Sequence, residues 1–192
     1  MNKIIIVAGY CATGKSTFAR KLSQKLSIPC FCKDTLKEAM ADGFGVNSEL
    51  LETKGSAAAT NIMLHIAECF LQTGNVCILE SNFRAAQGEE IKKLLEKYNA
   101  LCLTFLFGGN LEVLWDRYAK RAPQRHWVHL GGGDESKDDF IQVHLSAGIG
   151  EVAIGRTIAA DATDFAKISY AQLFAEAEEF VSSETGNKKA GI

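Results

Sequence analysis

The chain has 192 residues, 47% hydrophobic and 23% charged, with only 2 Pro, which fits one globular domain and excludes collagen-like repeats and disordered linkers. Lys and Arg total 21 against 23 Asp plus Glu, a net charge of −2, so no global positive field recruits nucleic acid or an anionic membrane surface. A chain of this size buries about 70% of the surface its unfolded form exposes, enough to hold a deep site without disulfide or metal staples.

Residues 4–8 form a continuous apolar, β-branched run that ends in a glycine-rich turn, the pattern of a strand buried on both faces of a parallel sheet. Residues 15–26 read as a helix stopped by Ser27-Ile28-Pro29. Cys30-Phe31-Cys32 makes a short second strand, and Asp34 opens a helical stretch over residues 35–40. Residues 41–45 read as flexible, residues 48–72 as an Ala- and Leu-rich helical excursion, and residues 76–79 as a third strand after Gly74-Asn75. Ile91, Leu94, Leu95 and Tyr98 fall at helical spacing, residues 101–107 make a fourth strand, and residues 111–119 are amphipathic up to Pro123. Residues 124–137 hold an Arg, two His, three consecutive Gly and several acids without a sustained period, and read as a mobile lid. A weaker strand at 157–160 and an amphipathic helix at 170–181 close a single domain over residues 1–182. Its substrate-binding helical insertion is expected at about 39–73 and its lid at about 121–137, with residues 183–192 as a frayed tail. This alternation predicts an α/β fold in which a five-stranded parallel sheet is flanked by helices. Ligands bind such a sheet at the carboxyl ends of its strands.

The six cysteines are Cys11, Cys30, Cys32, Cys69, Cys77 and Cys102, the last three inside apolar stretches as small hydrophobes. Cys30 and Cys32 are expected on opposite faces of their strand, able neither to pair nor to share a metal. Free thiols, an N-terminal segment far short of a signal-peptide core, and no run near the ~18 apolar residues of a spanning helix predict a soluble, cytoplasmic protein.

Gly9-Tyr10-Cys11-Ala12-Thr13-Gly14-Lys15-Ser16-Thr17 matches G-x-x-x-x-G-K-[ST] between a buried strand and a helix, the context that gives the motif its meaning. The glycines let the backbone curl so that successive N–H groups surround a phosphate, and the helix N-terminus adds positive dipole. Lys15 then reaches the β and γ phosphates, and the Ser16 hydroxyl ligates Mg²⁺. Gly9, Cys11, Ala12, Thr13, Gly14, Lys15, Ser16 and Thr17 are therefore the candidate nucleotide-binding residues.

No D-x-x-G follows the third strand and no N-K-x-D is present, so the signatures of a GTPase are missing. The chain instead resembles the small P-loop kinases, the group of nucleoside monophosphate kinases, gluconate and shikimate kinases, chloramphenicol phosphotransferase, zeta-type toxins and polynucleotide 5′-hydroxyl kinases. Beside the glycine loop, the resemblance is carried by Lys33-Asp34-Thr35-Leu36-Lys37, Glu80-Ser81-Asn82-Phe83, Arg117-Tyr118-Ala119-Lys120-Arg121 with a His-bearing lid, and Asp161-Ala162-Thr163. It implies an ATP- and Mg²⁺-dependent kinase that transfers the γ-phosphoryl group to a hydroxyl or phosphate of a small-molecule acceptor, acting as a monomer or homodimer without membrane contact.

Asp34 is the candidate for positioning or deprotonating the acceptor hydroxyl, although an Asp before Thr-Leu-Lys-Glu is also a good helix N-cap. Glu80 either holds a Mg²⁺-bound water or pairs with Arg84, and Asn82 and Arg84 are candidate acceptor contacts. Arg121 and Arg125 are the candidate clamp on the migrating phosphoryl group, while Arg117 is expected to pair with Asp116 or a neighbour. Arg125-His126-Trp127-Val128-His129 is similar to the R-H-P-G-H of related kinases with its Pro-Gly replaced. Lid hydrogen bonding, rather than zinc, is the expectation for His126 and His129. Two readings stay open: a nucleic-acid 5′-end kinase, disfavoured by the charge balance, and a nucleotide-binding switch or hydrolase with no acceptor.

Overall fold

The apolar run at the start of the chain forms β1 (Lys3–Gly9), all seven residues of which are buried. A computed structural model of the chain describes residues 2–45, 49–129 and 136–183. After β1 come α1 (Lys15–Leu26), β2 (Cys30–Cys32), α2 (Lys33–Phe44), α3 (Glu49–Gln72), β3 (Cys77–Glu80), α4 (Ala85–Lys97), β4 (Leu101–Gly108) and α5 (Leu111–Arg121). Two 3-10 turns, α6 (Lys137–Ser146), β5 (Arg156–Asp161), a third 3-10 turn and α7 (Tyr170–Ser182) complete the chain. The strands form one sheet in the order β2-β3-β1-β4-β5, and every pairing is parallel. No helix of the described residues is long and apolar enough to cross a membrane.

Alternate residues of β1 face opposite cores, as the period of a strand requires. Ile4, Ile6 and Ala8 pack with Met63 and Ala67 of α3 and Ile91 of α4. Ile5 and Val7 pack with Phe18 and Leu22 of α1 and Leu173 and Phe180 of α7. The buried ammonium of Lys3 donates to the carbonyls of Phe180 (2.7 Å), Val181 (3.1 Å) and Ser183 (2.6 Å), which satisfies carbonyls that the end of α7 leaves without helical partners.

Several expectations change. Residues 41–44 continue α2 rather than forming a flexible link, and Cys32 occupies its N-cap position, so Asp34 lies in the first turn and is not the cap. Cys30 and Cys32 share a face, with Sγ atoms 3.9 Å apart, because residues two apart in a strand point the same way. Residues 122–129 are not a free excursion: they form two 3-10 turns, and Val128 is buried against Ala41 and Leu51. The glycines at 131–133 and most of the tail lie outside the described residues. Past them, α6 starts within the acidic run that ends at Asp139, where a helix start is expected; Ser136 caps it by accepting from the Asp139 N–H at 3.2 Å, and its Phe140 packs on Leu114 and Tyr118 of α5.

Candidate active site

The glycine loop leaves β1 at Gly9, whose φ is +123°. A Cβ there would lie 1.9 Å from the carbonyl oxygen of Phe107 on β4, so only glycine permits this approach, and the next N–H, of Tyr10, donates to that same oxygen at 2.9 Å. Ala12 (φ +58°) and Gly14 (φ +81°) are left-handed, an alternation that turns backbone N–H groups toward one concave side. Gly14 precedes α1 without a side-chain cap, which leaves the first-turn amides of the helix for an anion.

Thr13 is buried, with its hydroxyl donating to the Tyr10 carbonyl at 2.8 Å, so it shapes the loop from within. Lys15, also buried, donates from Nζ to that carbonyl at 2.9 Å and stands 3.9 Å from Oε1 of Glu80. Glu80, the last residue of β3, therefore pairs with the loop lysine rather than with Arg84, which is exposed at the start of α4, where its N–H donates to Oε1 of Gln87.

One cavity of about 450 Å³ opens over the loop. Its floor is Cys11, Ala12, Gly14, Lys15, Ser16 and Thr17. Around it stand Glu80 at the end of β3 and Asn82 after it, Asp34 and Glu38 from α2, Arg121 at the end of α5 and Arg125 after the first 3-10 turn. Of the candidate site residues, Gly9, Thr13 and Arg84 do not line it; the first two hold the loop in shape, and Arg84 stands exposed at the start of α4. On the α2 side the cavity is lined by Asp34, Thr35 and Glu38, and among the described residues no α3 side chain lines it.

Asp34 lies open to the cleft, and its carboxyl carries opposing influences. Crowding by the walls would raise its pKa, but Lys33 first, then His129, Lys15 and Arg125, hold it below the usual carboxylate value. Lys33 stands 3.9 Å from Asp34 and donates to Oδ1 of Asn82 at 2.7 Å. Cys11 and Cys32 at the cavity edge are held as thiols, Cys11 by burial and Cys32 first by its contact with Cys30.

The turns after α5 are tied to α2 by both histidines: His126 Nε2 lies 3.0 Å from Oδ1 of Asp42, and His129 Nε2 lies 2.9 Å from Oε1 of Glu38. This bears out hydrogen bonding for the pair, and no group of metal-ligating side chains exists among the described residues. Arg125 donates to the Tyr118 hydroxyl and stacks over that ring. Arg117 does not pair with Asp116; it donates to the carbonyls of Ala162 and Thr163 and lies 4.0 Å above the Phe165 ring. Asp161 accepts from the Thr163 N–H at 2.8 Å, so the D-x-T patch folds the loop that receives Arg117.

Sequence reasoning missed three features. Glu38 was signalled only by its spacing of four from Asp34 on one helix face. His144 of α6 accepts a hydrogen bond from the Cys11 N–H, and nothing local in the sequence marks it. An apolar slot of about 370 Å³, walled by Phe18, Phe165, Tyr170 and Phe174, adjoins the loop at Gly14 and Thr17.

This sheet, with its phosphate-type loop at the end of the central strand and arginines converging from α5, defines a P-loop kinase, a nucleotide-binding class of enzyme. A family model for the AAA domain matches residues 4–140, most of the chain, and the chain belongs to that family. Among solved structures it is similar to a candidate kinase from Chloroflexus aurantiacus, at 27% identity and a TM-score of 0.77 over 96% of this chain and 98% of that one. It also shares its fold with Kti12 of Chaetomium thermophilum in complex with ADP-AlF3, at 14% identity and a TM-score of 0.65 over 94% and 100% of the two chains. Shikimate kinase from Bacteroides thetaiotaomicron shares it as well, at 16% identity and a TM-score of 0.53 over 93% and 97%. No curated protein matches the sequence.

Proposed function

We propose that the protein is an ATP- and Mg²⁺-dependent phosphotransferase that moves the γ-phosphoryl group of ATP to a small-molecule acceptor. The observation that carries this reading is one cavity in which a P-loop lysine, a strand-end glutamate, an open carboxylate and two arginines meet. A switch that only binds nucleotide has no use for Asp34 and the two arginines across from the loop. Six free cysteines support a reducing, cytoplasmic setting.

The triphosphate takes the loop amides and Lys15, and the base takes the aromatic slot, which shares Gly14 and Thr17 with the main cavity. Ser16 and Glu80 offer the hard oxygen donors that Mg²⁺ takes alongside phosphate oxygens and water, and the ion would neutralise charge on the phosphates. Asp34 accepts a hydrogen bond from the acceptor hydroxyl and aims its oxygen at the γ-phosphorus. The new O–P bond forms as the bond from the γ-phosphorus to the β–γ bridging oxygen breaks, ADP leaves, and the hydroxyl proton passes to solvent. With its pKa held low, Asp34 is an orienting group more than a strong base, which suits a transition state with little bond formation to the nucleophile. Arg121 and Arg125 balance the charge spread over the migrating group.

Lys15→Met tests the reading. ATP affinity by calorimetry should fall at least tenfold, and ADP release in the presence of an acceptor should stop. Unchanged affinity and turnover would dismiss the P-loop assignment.

A further inference from the structure

We infer that the acceptor is a hydroxyl compound free of carboxylate and phosphate groups, a neutral or cationic polyol such as a sugar or amino sugar, because the cavity end facing α2 offers acids and hydrogen-bond acceptors while the cations among the described residues there are either bonded within the protein or taken by the phosphoryl group. The inference rests on the phosphotransferase reading and narrows it.

Asp34 and Glu38 lie four residues apart, on the face of α2 that lines the cavity. Ser81 and Asn82 stand opposite at the end of β3. Carboxylates only accept hydrogen bonds, so together these groups call for ligand hydroxyls or an ammonium.

The cations near this end are already engaged. Lys33 donates to Asn82 at 2.7 Å and Lys37 donates to the Val128 carbonyl at 3.0 Å. Arg121 and Arg125, the latter also bonded to the Tyr118 hydroxyl, are the clamp on the migrating phosphoryl group. Lys15 and Arg20 lie on the loop and α1, and Arg20 donates to the Ser16 carbonyl at 3.2 Å. The phosphates of ATP claim that side. His129, which bonds Glu38, is kept neutral by burial and adds no positive charge at pH 7. An anionic acceptor would lose its hydration beside Asp34 and Glu38 with no guanidinium fork to replace it.

The test follows phosphoester formation by phosphorus NMR with ATP, Mg²⁺ and four acceptor sets: neutral sugars and polyols, amino sugars, sugar acids, and sugar phosphates. New phosphoester is expected only in the first two sets. Glu38→Lys should lower kcat/KM for the best acceptor about tenfold or more, with ATP affinity unchanged. Glu38→Gln keeps an acceptor for His129 but removes the charge, and should lower kcat/KM for an amino sugar more than for a neutral sugar. Transfer to a sugar acid or sugar phosphate at equal or better kcat/KM overturns the inference. So does a protein that binds ATP yet phosphorylates no neutral or cationic compound. Failure to bind ATP at all would strike down the phosphotransferase reading, and the acceptor class with it.

Discussion

The backbone N–H of Cys11 donates to Nε2 of His144 at 3.2 Å, while Nδ1 of the same ring lies 2.7 Å from the carbonyl of Phe140. A carbonyl only accepts, so the ring carries its proton on Nδ1 and presents a lone pair to the P-loop. His144 is 2% exposed, with its ring 4.1 Å from that of Phe140 and 5.5 Å from that of Tyr10. The phosphate loop is therefore braced by α6, whose His144 lies past residue 140, where the match to the AAA-domain model ends.

His144→Phe keeps a ring in this slot but leaves the Cys11 N–H without its acceptor, a change that costs about 1–3 kcal/mol for a buried donor. ATP affinity measured by calorimetry should drop about tenfold, and His144→Gln, which retains an acceptor, should recover most of it. Wild-type ATP affinity in the Phe variant would show that the bond serves only the packing of α6.

Asp34→Asn separates charge from structure. Because Cys32 holds the N-cap position, Asp34 affects the helix only through its dipole, worth about 0.3–1 kcal/mol. The melting temperature should barely move, whereas transfer to an identified acceptor should slow by about tenfold or more, since a charge-assisted hydrogen bond to the hydroxyl becomes a neutral one. Wild-type turnover in both Asp34→Asn and Asp34→Ala would remove Asp34 from the chemistry. Because the pKa of Asp34 sits below its ordinary value, its titration should not reduce activity between pH 7 and pH 5.

His129 gives the fold an acid sensitivity. Burial lowers its pKa below the ordinary 6.5, so below pH 6.5 the unfolded chain binds a proton that the native ring resists. Stability is complete above pH 6.5 and declines as pH falls toward the lower native value. Thermal melts at pH 7 and pH 5 should show a larger loss in the wild type than in His129→Gln. Equal losses would mean that His129 titrates as it does in the unfolded chain.

Two glycines provide a matched pair. Gly9→Ala places a methyl 1.9 Å from the Phe107 carbonyl oxygen at a φ of +123°, and should leave the protein largely unfolded by circular dichroism. Gly43→Ala meets no atom within 4 Å inside α2, and should stabilise the fold by about 0.5–1 kcal/mol. A folded, ATP-binding Gly9→Ala protein would contradict the described approach of β1 to β4.

Features governed by short-range chemistry were readable from the amino acids alone. The run at residues 4–8 became β1, and α1 spans the expected residues 15–26, because burial on both faces and glycine spacing are encoded within a few positions. The loop motif, the five parallel strands and the site at their carboxyl ends follow from the same local signals. What needed the folded chain was the choice among chemically equivalent partners. Arg117 and Arg121 sit four apart on one helix, yet the first is spent on the Ala162 and Thr163 carbonyls while the second faces the cavity, because the loop after β5 covers only one of them. Glu80 met Lys15 rather than Arg84, since parallel pairing sets Glu80 beside Val7 of β1, next to the loop. His144 became part of the site although 133 residues separate it from Cys11, because α6 packs on α5 and carries the imidazole to the loop. Local sequence sets propensity and turn chemistry, but which charge faces which depends on long-range packing that no spacing along the chain encodes.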